Sequence, residues 1–319
     1  MLVARVSLIV SVGLLISACE RPVPSDPVPV THAMRQVGVH GVGAQGSLVF
    51  HSARSGNLDI YLANPDGSDP ERLTNDPAED SWPDISTNGR YVVFASLRTG
   101  NREIFVLDLQ DGSLLNVSQS PGDDNWPRWA PNGKEIAFHS NRDGNYNIYV
   151  VNADGSGLRR VTSSTLLDQW PDWSPNGKRI AFRRGFDVYA IDADGEEQNP
   201  VQLTNLPTMI NQMPAWSPNG QRIAFMSLRE GYCAVFLMSV DGDTPENPAV
   251  NLTPKGLGDA NSAWCSRAPS WSRNGQRIYF QSMRPSTGGD VELFVMNADG
   301  TEVQRLTTSP GEDGGPRTR

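Results

Sequence analysis

The sequence predicts an all-β fold, a six-bladed β-propeller of four-stranded antiparallel blades, and three observations lead there. The dipeptide Asn-Gly recurs at Asn88-Gly89, Asn132-Gly133, Asn176-Gly177, Asn219-Gly220 and Asn274-Gly275, in steps of 44, 44, 43 and 55 residues. A period in the forties built from short strands is the signature of propeller blades. Within one period, from Trp129 to Thr162, short apolar runs such as Ile136/Phe138 and Ile148/Val150 keep the period of two expected of strands. Asn132-Gly133 and Asp154-Gly155 supply the tight hairpins between them. Finally, the tail Glu312-Asp313-Gly314-Gly315-Pro316-Arg317 lines up with Glu79-Asp80-Ser81-Trp82-Pro83-Asp84, and so repeats the start of a blade at the end of the chain.

Residues 1–18 read as a signal segment. Arg5 precedes an apolar run from Val6 to Ile16, too short for a mature membrane span. Ile16-Ser17-Ala18-Cys19 then resembles the cleavage site of bacterial lipoproteins, which makes Cys19 the expected lipidated N-terminus; an ordinary secretory signal with an incidental cysteine is the competing reading. Glu20 stands where aspartate would resemble an inner-membrane retention signal. A periplasmic protein anchored to the outer membrane is therefore expected, held there by its acyl chains alone. Residues 19–45 carry Pro22, Pro24, Pro27 and Pro29 and then glycines, a composition suited to an extended tether.

Residues 46–319 form the propeller. Five units open with a strand ending in Pro-x-Trp or a close variant, such as Pro127/Trp129, Pro171/Trp173, Pro214/Trp216 and Pro269/Trp271. These tryptophans read as wedges between blades. The unit from Gly46 to Thr74 has only three strands, so the C-terminal tail is expected to enter as its innermost strand, closing the ring and hiding two sheet edges. Lacking a tryptophan, that strand is expected to be a weak latch.

The unit Pro171-Asp172-Trp173-Ser174-Pro175-Asn176-Gly177, followed by Ile180-Ala181-Phe182 and closed by Leu203-Thr204, resembles the TolB-type WD40-like repeat. TolB proteins carry an α/β domain ahead of the propeller, and the roughly 25 residues of the tether are too few to form one. The resemblance implies a non-catalytic envelope protein that binds a protein partner over its channel mouth, the peptidoglycan-associated lipoprotein being TolB's own. Oligosaccharide lyases also resemble this repeat. A carbohydrate-binding or lyase-like propeller is therefore the alternative, though such a lyase needs a metal-binding cluster and a general base.

The candidate binding residues lie in the loops between blades. Asp80 precedes Trp82, Asp124 precedes Trp126, Asp168 precedes Trp170, and Asp313 takes the same place in the tail. On one reading these acids ring the channel mouth as a partner-binding rim, where a Ca²⁺ ion in the central channel would be the only cofactor to expect. On the other, each is a structural partner between blades for an arginine in the loop after strand two: Arg54, Arg98, Arg142, Arg184, Arg229 and Arg284. Trp82, Trp126 and Trp170 are candidates for stacking on a sugar or on a partner's aromatic side chain.

His51 and His139 occupy equivalent slots and read as core or channel lining rather than as metal ligands. G-x-S-x-G, H-E-x-x-H and C-x-x-C are all missing from the sequence, and no enzyme is expected. The net charge of −9 disfavours nucleic acid as a partner. Cys233 and Cys265 are expected to form a disulfide on the loop-bearing rim, with Cys265 in an inter-blade insert running from Pro254 to Ala268.

Overall fold

The computed structural model describes residues 46–194, 200–206, 209–254, 265–284 and 289–318. Cys19 and the tether lie outside the described residues. Six four-stranded antiparallel sheets are present. Blade 1 combines β1 (Leu48–Ser52), β2 (Asp59–Ala63) and β3 (Glu71–Arg72) with the last strand, β24 (Asp313–Thr318). Blade 2 runs β4 (Asp80–Ile85), β5 (Tyr91–Ser96), β6 (Glu103–Asp108) and β7 (Leu114–Asn116). Blade 3 holds β8 (Asp124–Trp129), β9 (Glu135–Ser140), β10 (Asn147–Asn152) and β11 (Arg159–Arg160). Blade 4 is β12 (Asp168–Trp173), β13 (Arg179–Arg184), β14 (Asp187–Asp192) and β15 (Val201–Gln202). Blade 5 comprises β16 (Asn211–Trp216), β17 (Arg222–Ser227), β18 (Ala234–Ser239) and β19 (Val250–Asn251). Blade 6 comprises β20 (Cys265–Trp271), β21 (Arg277–Met283), β22 (Glu292–Asn297) and β23 (Gln304–Arg305).

Each blade can be an ordered sheet because its two faces pack on neighbouring blades. The Pro-x-Trp tryptophans do this as expected. Trp129 sits in the apolar cluster joining blades 2 and 3, Trp173 in that joining blades 3 and 4, Trp216 between blades 4 and 5, and Trp271 between blades 5 and 6. A second recurring device fixes each outermost strand. A Thr or Ser hydroxyl accepts the backbone N–H that opens the third strand, as Thr74 does from Ile60, Ser118 from Ile104 and Thr162 from Ile148. The repeated Thr or Ser at the end of every unit therefore stands in for a ladder bond that a two-residue strand cannot make.

The latch is stronger than the sequence suggested. β24 has six residues, the usual length of an innermost strand here, and all but the last are buried. It is also held by the preceding blade: Thr318 Oγ1 donates to the Trp271 carbonyl at 2.8 Å, and Gly315 N–H to Gln281 Oε1 at 2.8 Å. Its missing tryptophan has a steric reason. A Cβ on Gly315, whose φ is +59°, would lie 2.9 Å from His51 Nδ1 and 3.1 Å from Trp82 Cε3. The imidazole of His51 and the indole of Trp82 already fill the space that a side chain on β24 would need.

The structure joins Cys233 to Cys265 in a disulfide, with Cα atoms 4.5 Å apart. Cys265 is the first residue of β20 rather than part of an irregular insert, and Cys233 immediately precedes β18, so the bridge ties the entry of blade 5's third strand to the innermost strand of blade 6. Residues 255–264 lie outside the described residues.

Candidate functional site

Innermost strands run side by side around the axis, and each is interrupted at one point by a register shift against its neighbour. At these bulges the backbone enters the left-handed region: Trp82 at φ 54°, Trp126 at 56°, Trp170 at 56°, Met213 at 55°, Ala268 at 53° and Gly315 at 59°. Such a conformation costs a residue with a Cβ about 1–3 kcal/mol. Here it re-aims the side chains of five inner strands into one apolar cluster on the axis. The Trp82 and Trp126 rings lie 4.1 Å apart, and Trp126 and Trp170 meet edge-to-face at 6.2 Å. His51 and His139 support this plug. His51 Nδ1 accepts the backbone N–H of Trp82 at 3.2 Å, and His139 Nδ1 that of Trp170 at 3.3 Å. Burial, reinforced by nearby Arg128, lowers the His139 pKa to about 3, which keeps Nδ1 free to accept.

The four aspartates do not form a ring of free carboxylates. Asp80, Asp124, Asp168 and Asp313 are all fully buried. Each lies against an arginine of its own blade, so the pairing is within blades and not between them: Arg98 with Asp80 at 2.8 Å, Arg142 with Asp124 at 2.9 Å, Arg184 with Asp168 at 2.7 Å and Arg54 with Asp313 at 3.0 Å. The register explains this. Asp80 sits opposite Ser96, and Arg98, two residues on, curls back over Ser96 Oγ to reach it. Each guanidinium also lies over the aromatic rings of its strands, as Arg98 does over Phe94 and Phe105. Burial pushes the Asp80 and Asp124 carboxyls up despite these partners. Among the described residues no group of three or more His, Cys, Asp or Glu side chains converges as a metal site. Asp80, Asp124 and Asp168 each pair with an arginine of their own blade.

Among the described residues, the large exposed apolar side chains of this rim gather at blade 4. In blades 1 to 3 the loop after the second strand is long and ends in an asparagine whose side-chain amide ties down the next inter-blade loop: Asn57 to the Asp76 and Ala78 carbonyls, Asn101 to Ser120 and Gly122, Asn145 to Ser164 and Leu166. Blade 4 replaces that loop with a hairpin in which Arg184 pairs with Asp187, leaving only Gly185 and Phe186 between them. Arg184 is consequently the last residue of β13 rather than a loop residue, and it grips Asp168 through both Nε and Nη2. Phe186 is 53% exposed, and Leu166 and Leu167 in the preceding inter-blade loop are 54% and 43% exposed. The Leu166 side chain lies beside Gly185, whose N–H donates to the Leu167 carbonyl. Half-buried Trp170 follows three residues after Leu167. Among the described residues, the other large exposed apolar side chains, such as Leu115, Val201 and Val250, lie singly on or beside outermost strands. The patch at blade 4 was missed from the sequence, although the shortened Arg183-Arg184-Gly185-Phe186 and the pair Leu166-Leu167 were there to be read.

The chain is thus a six-bladed propeller with an apolar cluster on its axis and an apolar corner on its loop-bearing rim. The sequence profile of the TolB β-propeller domain matches residues 81–187 and 183–318, and the chain belongs to that family. No curated protein matches it in sequence. Among solved structures, TolB from Acinetobacter baumannii is similar with a TM-score of 0.70 at 21% identity, over 86% of this chain and 66% of that one. The chain thus spans just under two thirds of that protein's length. A putative TolB from Agrobacterium tumefaciens gives 0.64 at 22% identity, over 86% of this chain and 98% of that one. An oligogalacturonate lyase from Vibrio parahaemolyticus gives 0.54 at 15% identity, over 82% and 74%. At these identities the likenesses establish the fold.

Proposed function

We propose that this chain is a non-catalytic, protein-binding propeller of the cell envelope, held on the periplasmic face of the outer membrane by lipid on Cys19. Its partner docks on the mouth at blade 4, with Leu166, Leu167 and Phe186 as the apolar contact and half-buried Trp170 next along the chain. The carrying observation is that patch. Exposed side chains of this size gathered on one rim mark an interaction surface, whereas the same residues scattered singly do not. Family membership supports the reading, and it suggests a partner like the peptidoglycan-associated lipoprotein. Tyr, Trp and Phe are the side chains that most often anchor such interfaces.

Capture from detergent-solubilised envelope tests the proposal. The lipid-free propeller should enrich an envelope protein, and Phe186→Glu with Leu166→Glu should abolish the enrichment without changing the melting temperature. Retention on a glycan resin together with loss of protein capture would favour the carbohydrate alternative.

A further inference from the structure

The blade 4 mouth carries a cation beside its apolar patch. Arg183 is half-buried near the end of β13, and its guanidinium lies over the Trp170 ring, 5.0 Å from the centroid. Its Nε donates to the Gly185 carbonyl, and Nη1 reaches Gln212 Oε1 at 3.4 Å. Both acceptors are neutral. A guanidinium has five N–H donors, and among the described residues the Nη2 pair has no protein acceptor. Gly185 belongs to the same tight hairpin as Phe186, and the Leu166 side chain lies beside it. The cation and the apolar patch therefore form one surface.

The pleat explains why Arg183 lacks the carboxylate that its neighbour has. Arg184 stands opposite Asp168 on β12 and Asp187 on β14, so all three share one face of the blade. Arg183 stands opposite Gln169 and Val188 on the other face, and neither carries charge. Burial lowers the Arg183 pKa, with no carboxylate of the described residues to offset it. The same register position holds His51, Ala95, His139, Met226 and Gln281 in the other blades, so Arg183 is the only arginine or lysine of the six. The chain as a whole carries a net charge of −9. Its general field repels an acidic partner, and attraction of a carboxylate to this corner depends on Arg183 itself.

We propose that Arg183 sets the chemistry of the partner: the docked protein segment lays an aspartate or glutamate carboxylate on this guanidinium and an adjacent apolar side chain on Leu166, Leu167 and Phe186. The inference rests on the docking surface proposed above and adds the charge that its occupant must bring. A carboxylate supplies the charge-assisted hydrogen bonds that the Gly185 carbonyl and the Gln212 amide cannot. The Trp170 ring beneath keeps the guanidinium in place to receive it.

Panning a phage-displayed library of random linear segments on the immobilised, purified chain tests the assignment. Only segments that bind the parent and are lost on Phe186→Glu report on this surface. Those segments should carry Asp or Glu next to an aromatic or aliphatic residue. In calorimetric titration, a synthetic peptide of the best segment should bind at least tenfold more weakly when its acid is replaced by the amide. Arg183→Gln should weaken the parent peptide by a similar factor and the amide peptide hardly at all, which marks the two groups as partners. The amide peptide leaves the protein untouched, so this arm holds even if Arg183→Gln lowers the melting temperature. Surface-specific segments without an acid, or equal affinity of the acid and amide peptides, would overturn the role of Arg183 and leave the docking surface standing. No enriched segment, or segments that bind Phe186→Glu equally well, would overturn both.

Discussion

Changing Asp124 to Asn separates the two meanings that the repeated acid could have. The substitution keeps the shape of the side chain and removes its charge. Arg142 then loses its carboxylate at 2.9 Å while its side chain remains only 11% exposed. Its other hydrogen bonds run to Ser140 Oγ and the Ser118 carbonyl, neither of which carries charge. Blade 5 shows what tolerating asparagine requires. Asn211 stands in the equivalent place, and Arg229 turns to Asp243 at 2.7 Å to recover a charge partner. Breaking one side of a buried pair costs about 3–5 kcal/mol. The low end is expected here, because burial already pushes the Asp124 carboxyl up and so weakens the pair it forms. A loss of about 3 kcal/mol corresponds to a fall of roughly 6 °C in melting temperature for a domain of this size. Differential scanning calorimetry reads it directly. Replacing both residues, Asp124→Asn with Arg142→Met, should recover part of the loss, since an apolar pair of similar volume leaves no buried charge. An unchanged melting temperature in Asp124→Asn, accompanied by loss of partner or Ca²⁺ binding, would refute the structural role and restore the acid to the binding surface.

Three further outcomes are expected. Cys233 and Cys265 are 32 residues apart, and the chain-entropy model assigns such a bridge about 4 kcal/mol; Cys233→Ser with Cys265→Ser should lower stability in chemical denaturation by that order, and equal stability would show that the loop is not constrained by the bridge. His139 has its pKa lowered in the folded state to about 3, so the unfolded chain takes up the proton first; its contribution is fully present above pH 6.5 and is lost at about 1.4 kcal/mol per pH unit as pH falls toward 3. Urea midpoints for the parent and His139→Gln should therefore diverge in pH dependence between 6.5 and 4, and parallel curves would contradict the assignment. Deleting residues 313–319 removes the innermost strand of blade 1 and exposes the edge of β1, so gel filtration should show oligomers or calorimetry a lower melting temperature.

The fold was legible because its determinants are local and repeated. Asn-Gly and Asp-Gly fix hairpins within a few residues, and Pro-x-Trp marks the strand that wedges between blades. Even the closing strand could be read, since Glu312-Asp313 copies Glu79-Asp80. The site was less legible because it depends on register. That Asp80 reaches Arg98 of its own blade follows from the pairing of Asp80 with Ser96, which no spacing rule announces. The left-handed turn at Trp82, Trp126 and Trp170 was hidden as well, because Trp-Pro reads as plain extended chain. The bulge sends these rings to the axis, where they form a plug with Met213 and Ala268. The blade 4 corner is different in kind: its signal is a departure from the repeat, visible only after the repeat is aligned.

The most direct test of the docking account is crosslinking in the living cell from a photoreactive residue placed at Phe186, with a second at Leu115 on the outermost strand of blade 2 as control. The account predicts a discrete adduct with an envelope protein from position 186, lost when Leu166→Glu is added, and none from position 115. Adducts from both positions alike, or from 115 alone, would contradict a docking surface at the blade 4 mouth.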